Sequence, residues 1–153
     1  MLKEGDKAPN FRATTDENKK VSLGDFDGMN VVLYFYPKAD TTGCTNEAIQ
    51  FRDSIKDFKA AKTAIVGCSG DSVAAQAKFK AKYKLNFPLL ADTEFEVIKA
   101  YHARRMKSFF GKSFLGIVRM TFWIGPDAKI RKIWPKVAVK GHAAEVLAAI
   151  KAG

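Results

Sequence analysis

The stretch "YFYPKADTTGCTNEAIQF", residues 34–51, decides the fold of this chain. It overlaps the end of "NVVLYFYP", an almost wholly apolar run from Asn30 to Pro37. Such a run is typical of a central strand that is buried on both faces of an α/β sheet. A polar loop follows, and a helical pattern starts near Thr45, directly after Cys44. The segment therefore predicts a strand–loop–helix unit that carries a thiol at the N-terminus of its helix.

The patterns on either side of this stretch predict one α/β domain over residues 1–153, with a central mixed sheet flanked by helices. Parallel strand–helix crossovers, a hairpin and a last helix are predicted from "TNEAIQFRDSIKDFKAA", "TAIVGCS", "DSVAAQAKFKAKYKL", "FPLLAD", "TEFEVIKAYH", "IVRMTFWIGPDAKIRKIWP" and "GHAAEVLAAIKAG". Ahead of them, "NFRAT" and "KKVSLGDF" predict a small hairpin.

The segment "ARRMKSFFGKSFLG", residues 103–116, is predicted to be an irregular loop. Its three aromatic side chains are Phe109, Phe110 and Phe114. They are interpreted as walls of a pocket, as a partner surface or as simple packing within the loop.

Composition narrows the class of protein further. The formal net charge is +10, but the basic residues are dispersed and belong to no nucleic-acid motif, so a solvated basic surface is favoured over polyanion binding. No apolar run approaches the roughly 20 residues of a membrane span. The start "MLKEGDKAPNF" lacks an apolar signal-peptide core, so we expect a cytoplasmic protein without a membrane partner.

Cys44 is the candidate reactive group. The free backbone N–H groups and the positive end of the helix dipole favour the thiolate, which is the nucleophilic form of cysteine. Thr41 offers a hydroxyl in the same loop, and Gly43 lets the backbone approach a small ligand. Because "KADTTGCTNE" is polar, we expect the thiol to be accessible rather than a small buried hydrophobe.

Pro37, Thr41 and Cys44 match the P-x-x-x-T-x-x-C signature of the peroxiredoxins, which this chain resembles. It is similar along nearly its whole length to the bacterioferritin comigratory protein (PrxQ) subfamily, with counterparts in "GDKAPNF", "IVGCSGDS", "FPLLAD" and "GKSFLGIVRMTFWIGPDAKI". The resemblance implies a thioredoxin fold of the peroxiredoxin type. It also implies a thiol-dependent peroxidase that reduces hydrogen peroxide and organic hydroperoxides in antioxidant defence, with no metal and no organic cofactor.

The resemblance also implies roles for individual residues. Cys44 would be the peroxidatic nucleophile, and Thr41 would hydrogen-bond the bound peroxide. Pro37 would shield the pocket, Arg119 would face the sulfur, and Glu47 would orient the arginine.

The chain departs from the family pattern in two places. Thr42 replaces a proline, and Ile49 stands where many members have a resolving cysteine. The only other thiol is Cys68, which is favoured as an apolar end of a buried strand but stays open as a resolving cysteine. The choice separates a one-cysteine enzyme, reduced by glutathione, glutaredoxin or thioredoxin, from an atypical two-cysteine enzyme recycled by thioredoxin.

The remaining candidates are weaker. His102 and His142 show no metal-ligand spacing, and His142 is expected on the surface at the start of the last helix. Two alternatives to a peroxidase remain: an interaction protein with a polyanion-binding surface, and a disulfide oxidoreductase, against which the lack of a C-x-x-C motif counts. A monomer is the expected oligomeric state.

Overall fold

A computed structural model describes all residues, 1–153. At its centre is a five-stranded mixed sheet in the order β5-β4-β3-β8-β9. β3 pairs in parallel with β4 and antiparallel with β8. The strands of this sheet are β3 Asn30–Phe35, β4 Thr63–Ser69, β5 Leu89–Ala91, β8 Met120–Ile124 and β9 Ile130–Trp134.

Five helices and two small hairpins complete the fold. The helices are α1 Thr42–Asp53, α2 Ile55–Ala60, α3 Val73–Tyr83, α4 Glu96–Ala100 and α5 His142–Ala152. The hairpins are β1 Arg12–Thr14 with β2 Lys20–Ser22, and β6 Arg104–Phe109 with β7 Lys112–Ile117. A short 3-10 helix, Leu23–Phe26, follows β2. The fold class and the central position of the Asn30–Pro37 strand are confirmed.

Side-chain alternation along β3 builds a core on each face of the sheet. Leu33 and Phe35 join an apolar cluster that α4 and the N-terminal segment cover. Tyr34 and Tyr36 point the other way, into a second cluster with side chains from α1, α2, α3 and α5. Two consecutive residues of β3 therefore belong to different layers of the protein.

Two predictions about element boundaries are wrong. The helix after Cys44 is interrupted at Ser54, whose φ of −99° and ψ of 5° separate α1 from α2. Residues 103–116 do not form an irregular loop but largely the β6–β7 hairpin. Phe110 and Gly111 connect its strands with φ of +50° and +76°, the backbone of a tight two-residue hairpin turn. The alternation was hidden because both faces of this hairpin mix apolar and basic residues.

None of the helices has the length and apolar character that crossing a bilayer requires.

Candidate active site

Cys44 lies in the first turn of α1. The helix starts at Thr42, three residues earlier than predicted, because extended Thr41 acts as its N-cap and its carbonyl oxygen accepts the Thr45 N–H at 2.8 Å. The side chain faces the layer that contains Tyr34 and Tyr36, and the residue is only 1% exposed. The prediction of an accessible thiol is therefore wrong, since a polar segment has turned its sulfur inward.

Arg119 brings a cation to this sulfur from the far side of the chain. It lies in the short connection between β7 and β8, and its Nη2 is 3.4 Å from Cys44 Sγ. Its Nη1 donates to Glu47 Oε1 at 2.8 Å. A guanidinium at this distance can stabilise negative charge that develops at the sulfur or on an atom bound to it.

Glu47 is a buried carboxyl in this group, one turn along α1 from Cys44. Burial raises its pKa to about 7, although the charge and hydrogen bond of Arg119 act in the opposite direction. Only one carboxyl oxygen has a partner, since Oε2 accepts no hydrogen bond. The carboxyl group therefore holds Arg119 through Oε1, while its Oε2 has no hydrogen-bond partner.

Three buried polar atoms on β3 and α1 have no hydrogen-bond partner. Besides Glu47 Oε2, the hydroxyl groups of Tyr34 and Thr45 are buried without a hydrogen-bond partner. Buried polar atoms of this kind are uncommon in native structures and often mark functional positions. The sequence could have pointed to Tyr34, because it lies two residues before Tyr36 in the apolar run and alternation places both side chains on the same face of the sheet.

Gly43 lies against the Arg119 side chain. A side chain at this position would place its Cβ 3.1 Å from Arg119 Nη2. The missing side chain therefore makes room for the arginine beside the sulfur.

Thr41 and Pro37 belong to the segment between β3 and α1 that leads to Cys44. Both residues are exposed, and Pro37 directly follows the last buried residue of the β3 run. The Thr41 hydroxyl donates to the Lys38 carbonyl oxygen at 2.8 Å rather than to the sulfur. Neither residue makes a hydrogen bond to the Cys44 side chain.

Cys68 lies at the same edge of the sheet as the Cys44 loop but faces the other way. It pairs in register with Phe35 in β3 and shares the apolar layer of that residue. Cys44 belongs to the layer on the opposite face. Burial raises the pKa of Cys68 well above its ordinary value, with the nearby Asp92 charge as a smaller contribution. The sheet separates the two thiols.

His142 was missed because the start of a helix suggested the surface. It is buried, with Nε2 2.8 Å from Thr121 Oγ1 and Nδ1 3.2 Å from Glu145 Oε1. Its ring also meets Phe51 edge-on, at 6.1 Å between centroids. Burial lowers the pKa of His142, so the ring is neutral at pH 7. The ring packs against Phe51 of α1 and makes no hydrogen bond to Cys44.

A cysteine in the first turn of a helix, with a guanidinium beside its sulfur, is an arrangement suited to nucleophilic chemistry at that sulfur. The chain belongs to the AhpC/TSA family, whose model matches residues 4–133. It is 47% identical over 146 residues to "Putative peroxiredoxin bcp" of Coxiella burnetii, covering 95% of this chain and 97% of that protein. It is 44% identical over 147 residues to "Peroxiredoxin Bcp" of Bacillus subtilis, covering 96% and 94%.

Solved structures agree with this membership. The PrxQ of Xylella fastidiosa superimposes with a TM-score of 0.95 at 33% identity, covering 99% of this chain and 97% of that one. Peroxiredoxin Q of Xanthomonas campestris gives 0.90 at 37% identity, covering 93% and 90%. The peroxiredoxin-type thioredoxin fold and a thiol-dependent peroxidase activity that uses a peroxidatic cysteine are therefore established for this chain.

Proposed function

We propose that Cys44 is the peroxidatic nucleophile, and that the contact from Arg119 Nη2 to its sulfur is the observation that carries the assignment. Of the two thiols, Cys68 faces an apolar layer where burial raises its pKa, whereas Cys44 lies beside a cation that Glu47 holds in place. A positively charged, polar environment is what a reactive thiolate requires.

The reaction follows from this arrangement. The thiolate attacks the distal oxygen of ROOH, an S–O bond forms as the O–O bond breaks, and the leaving RO⁻ takes a proton to become ROH. Sulfur is oxidised to a sulfenic acid and the peroxide is reduced. Arg119 stabilises the charge as it moves from sulfur to the leaving oxygen, which lowers the barrier more than it stabilises the ground state.

The other site residues have supporting roles. Glu47 orients Arg119, and the Thr41 hydroxyl turns from the Lys38 carbonyl to hydrogen-bond the peroxide. Pro37 shields the approach. The unpartnered hydroxyl of Tyr34, on which the charges of Glu47, Cys44 and Arg119 act, is a further candidate hydrogen-bond donor in the site.

We assign the enzyme a one-cysteine cycle. A Cys44–Cys68 disulfide would need one thiol to cross the sheet, whereas disulfides join residues whose Cα atoms are within roughly 7 Å and whose side chains converge. An external thiol therefore attacks the sulfenic acid, water leaves, and a second thiol releases Cys44 from the mixed disulfide. Glutathione, glutaredoxin and thioredoxin are candidate reductants. Because Cys44 is buried, the first turn of α1 opens to admit a protein reductant.

The substrates are hydrogen peroxide and organic hydroperoxides. One solved relative, the bacterioferritin comigratory protein of Xanthomonas campestris, is described as having alkyl peroxide reduction activity. We also propose that residues 1–153 act as one monomeric domain in the cytoplasm, in antioxidant defence. The two core clusters on opposite faces of a single sheet support the single domain.

The test is one equivalent of hydrogen peroxide added to the reduced protein without reductant. Trapping with a sulfenic-acid reagent, intact mass and peptide mapping under non-reducing conditions then identify the product. We expect a sulfenic acid on Cys44 while Cys68 stays free. A Cys44–Cys68 disulfide would overturn the one-cysteine cycle, and an unreactive Cys44 would overturn the assignment of the nucleophile.

A further inference from the structure

The β6–β7 hairpin holds most of the large apolar side chains that the protein exposes. Phe110 at the turn is 90% exposed, Phe109 is 65% exposed and Met106 is 61% exposed. Phe114 and Leu115 are also exposed, and elsewhere only Met1 and Met29 are exposed large hydrophobics. Exposed apolar residues that gather in one projecting element indicate an interaction surface.

The pairing register distributes these side chains over both faces of the hairpin. Met106 pairs with Leu115 on one face. Lys107 pairs with Phe114, and Phe109 with Lys112, on the other face. At the tip, the rings of Phe109 and Phe110 meet edge-on with centroids 4.4 Å apart. Apolar side chains therefore lie on both faces of the hairpin and at its turn, although the Ser108–Ser113 pair and Lys112 also lie near the tip.

Positive charge accompanies this apolar tip. Residues 97–126 contain no aspartate or glutamate. No carboxylate pairs with the hairpin cations, which are Arg104, Arg105, Lys107 and Lys112. At the base of the hairpin, a cavity of about 500 Å3 is lined by Arg104 and Arg105 together with Lys99 and His102. The cavity has the charge and the donors to hold an anionic group such as a phosphate.

We propose that the β6–β7 hairpin docks this protein on the surface of an anionic lipid bilayer. The tip enters the boundary between headgroups and acyl chains, and the basic residues at the base bind the lipid phosphates. With six residues per strand, the hairpin is about 20 Å long, so its outer half can enter the 5–10 Å of an interfacial layer while Arg104 and Arg105 stay among the headgroups.

Other occupants fit these observations less well. A single-stranded nucleic acid would stack on the aromatic and basic face with Phe109 and Phe114, but it would leave Met106 and Leu115 on the opposite face in water. A second copy of the chain would bring two hairpins of the same charge together. Insertion into a lipid interface covers both faces at once and matches the sign of the charge.

This inference also concerns the substrate of the enzyme, and that part of it rests on the proposed function. β7 ends at Ile117, two residues before the arginine that contacts Cys44. A docked hairpin would therefore hold the active site close to the bilayer surface. Hydroperoxides of membrane phospholipids then become the substrate class that docking favours, because their peroxide group already lies at that surface.

The experiment is co-sedimentation of the full chain with vesicles of phosphatidylcholine alone or of phosphatidylcholine with phosphatidylglycerol, at near-physiological ionic strength. We expect binding to the vesicles that contain phosphatidylglycerol. The double variant Phe109→Ser/Phe110→Ser and the double variant Arg104→Gln/Arg105→Gln should each weaken binding, the second by roughly thirtyfold, from about 1 kcal/mol for each basic residue.

Matched controls separate the hairpin from charge or apolarity in general. Lys56→Gln/Lys59→Gln removes two exposed charges from α2, and Met29→Ser removes an exposed apolar residue outside the hairpin. Both should bind like the unchanged protein. The docking inference is overturned if the protein does not bind anionic vesicles or if controls and hairpin variants lose binding equally. It is also overturned if the hairpin instead supports self-association, or binding to a single-stranded oligonucleotide without vesicle binding.

Two activity readouts keep the two proposals apart. Hairpin variants should reduce hydrogen peroxide in solution at the unchanged rate but reduce phospholipid hydroperoxides in anionic vesicles more slowly. Equal rates on the vesicles would overturn the substrate class. Vesicle binding by a protein whose Cys44 does not react would overturn the proposed nucleophile and leave the docking surface standing.

Discussion

Cys44 and Cys68 are both buried, yet their surroundings differ in nearly every other respect. Cys44 has a guanidinium at 3.4 Å, lies in the first turn of a helix and has unpartnered polar atoms nearby. Cys68 lies within a strand and faces an apolar layer that gives a thiolate nothing to bind. The comparison teaches that burial does not decide whether a thiol reacts. What decides it is the electrostatic environment into which the thiol is buried.

Exchanging each thiol for a hydroxyl should give the largest effect. We expect Cys44→Ser to lower peroxidase activity by about a thousandfold or more, because the nucleophile is lost. Cys68→Ser should keep most of the activity, provided that it is measured below its unfolding temperature. Peroxide consumption with dithiothreitol as reductant checks both variants. Comparable losses in the two would show that both thiols act in the cycle.

Substitution of Arg119 is a second way to make the surroundings of Cys44 resemble those of Cys68. Arg119→Gln removes the cation beside the sulfur and should lower the second-order rate constant with hydrogen peroxide by about a hundredfold. Stopped-flow measurement of Cys44 oxidation tests this directly. Arg131→Gln is the matched control, because that arginine is half-exposed and pairs with Asp127 away from the site. A normal rate in Arg119→Gln would remove the arginine from the mechanism.

Glu47, beside Cys44 in α1, should make the free energy of unfolding depend on pH. Its pKa is raised to about 7 in the folded protein, so between about pH 4.5 and 7 the folded state holds a proton that the unfolded state has lost. Stability should therefore fall as the pH rises through this window, by about 3 kcal/mol at most. Glu47→Gln should remove this fall.

Urea unfolding of both proteins from pH 5 to pH 8 supplies the measurement. His142 contributes with the opposite sign, because its lowered pKa makes stability fall as the pH drops below about 6.5. That contribution is common to the two proteins and cancels in the difference. A difference that does not change with pH would show that Glu47 is ionised throughout.

The smallest effect concerns the packing of the two thiols. Cys68→Ser places a hydroxyl in an apolar layer and should cost about 1–3 kcal/mol of the free energy of unfolding. Cys44→Ser should cost less than about 1 kcal/mol, because the Arg119 guanidinium that contacts the sulfur can donate to the new hydroxyl. Denaturant titrations of the reduced proteins give both values. Equal costs would mean that the two environments do not differ in polarity as described.

The sequence predicted those features of the fold that depend on neighbouring residues, and it missed features that depend on contacts between distant residues. The apolar run in 30–37 and the N-cap residues before α3 are local patterns, and they predicted a central strand and a helix that the structure contains. The hairpin over 104–117 was missed because period-two alternation normally separates an apolar face from a polar one. Here both faces are mixed, and neither is buried.

The sequence by itself determined that a thiol follows a buried strand and begins a helix, since spacing and residue type suffice for that. The contact of Arg119, 75 positions along the chain, with the sulfur was implied by the family resemblance but by no local pattern, and only the tertiary structure decided that Cys68 lies on the other face of the sheet. It also decided that Cys44 and His142 are buried. The physical reason is that burial, charge pairing and the side of a sheet are set by contacts between distant segments, which no local pattern encodes.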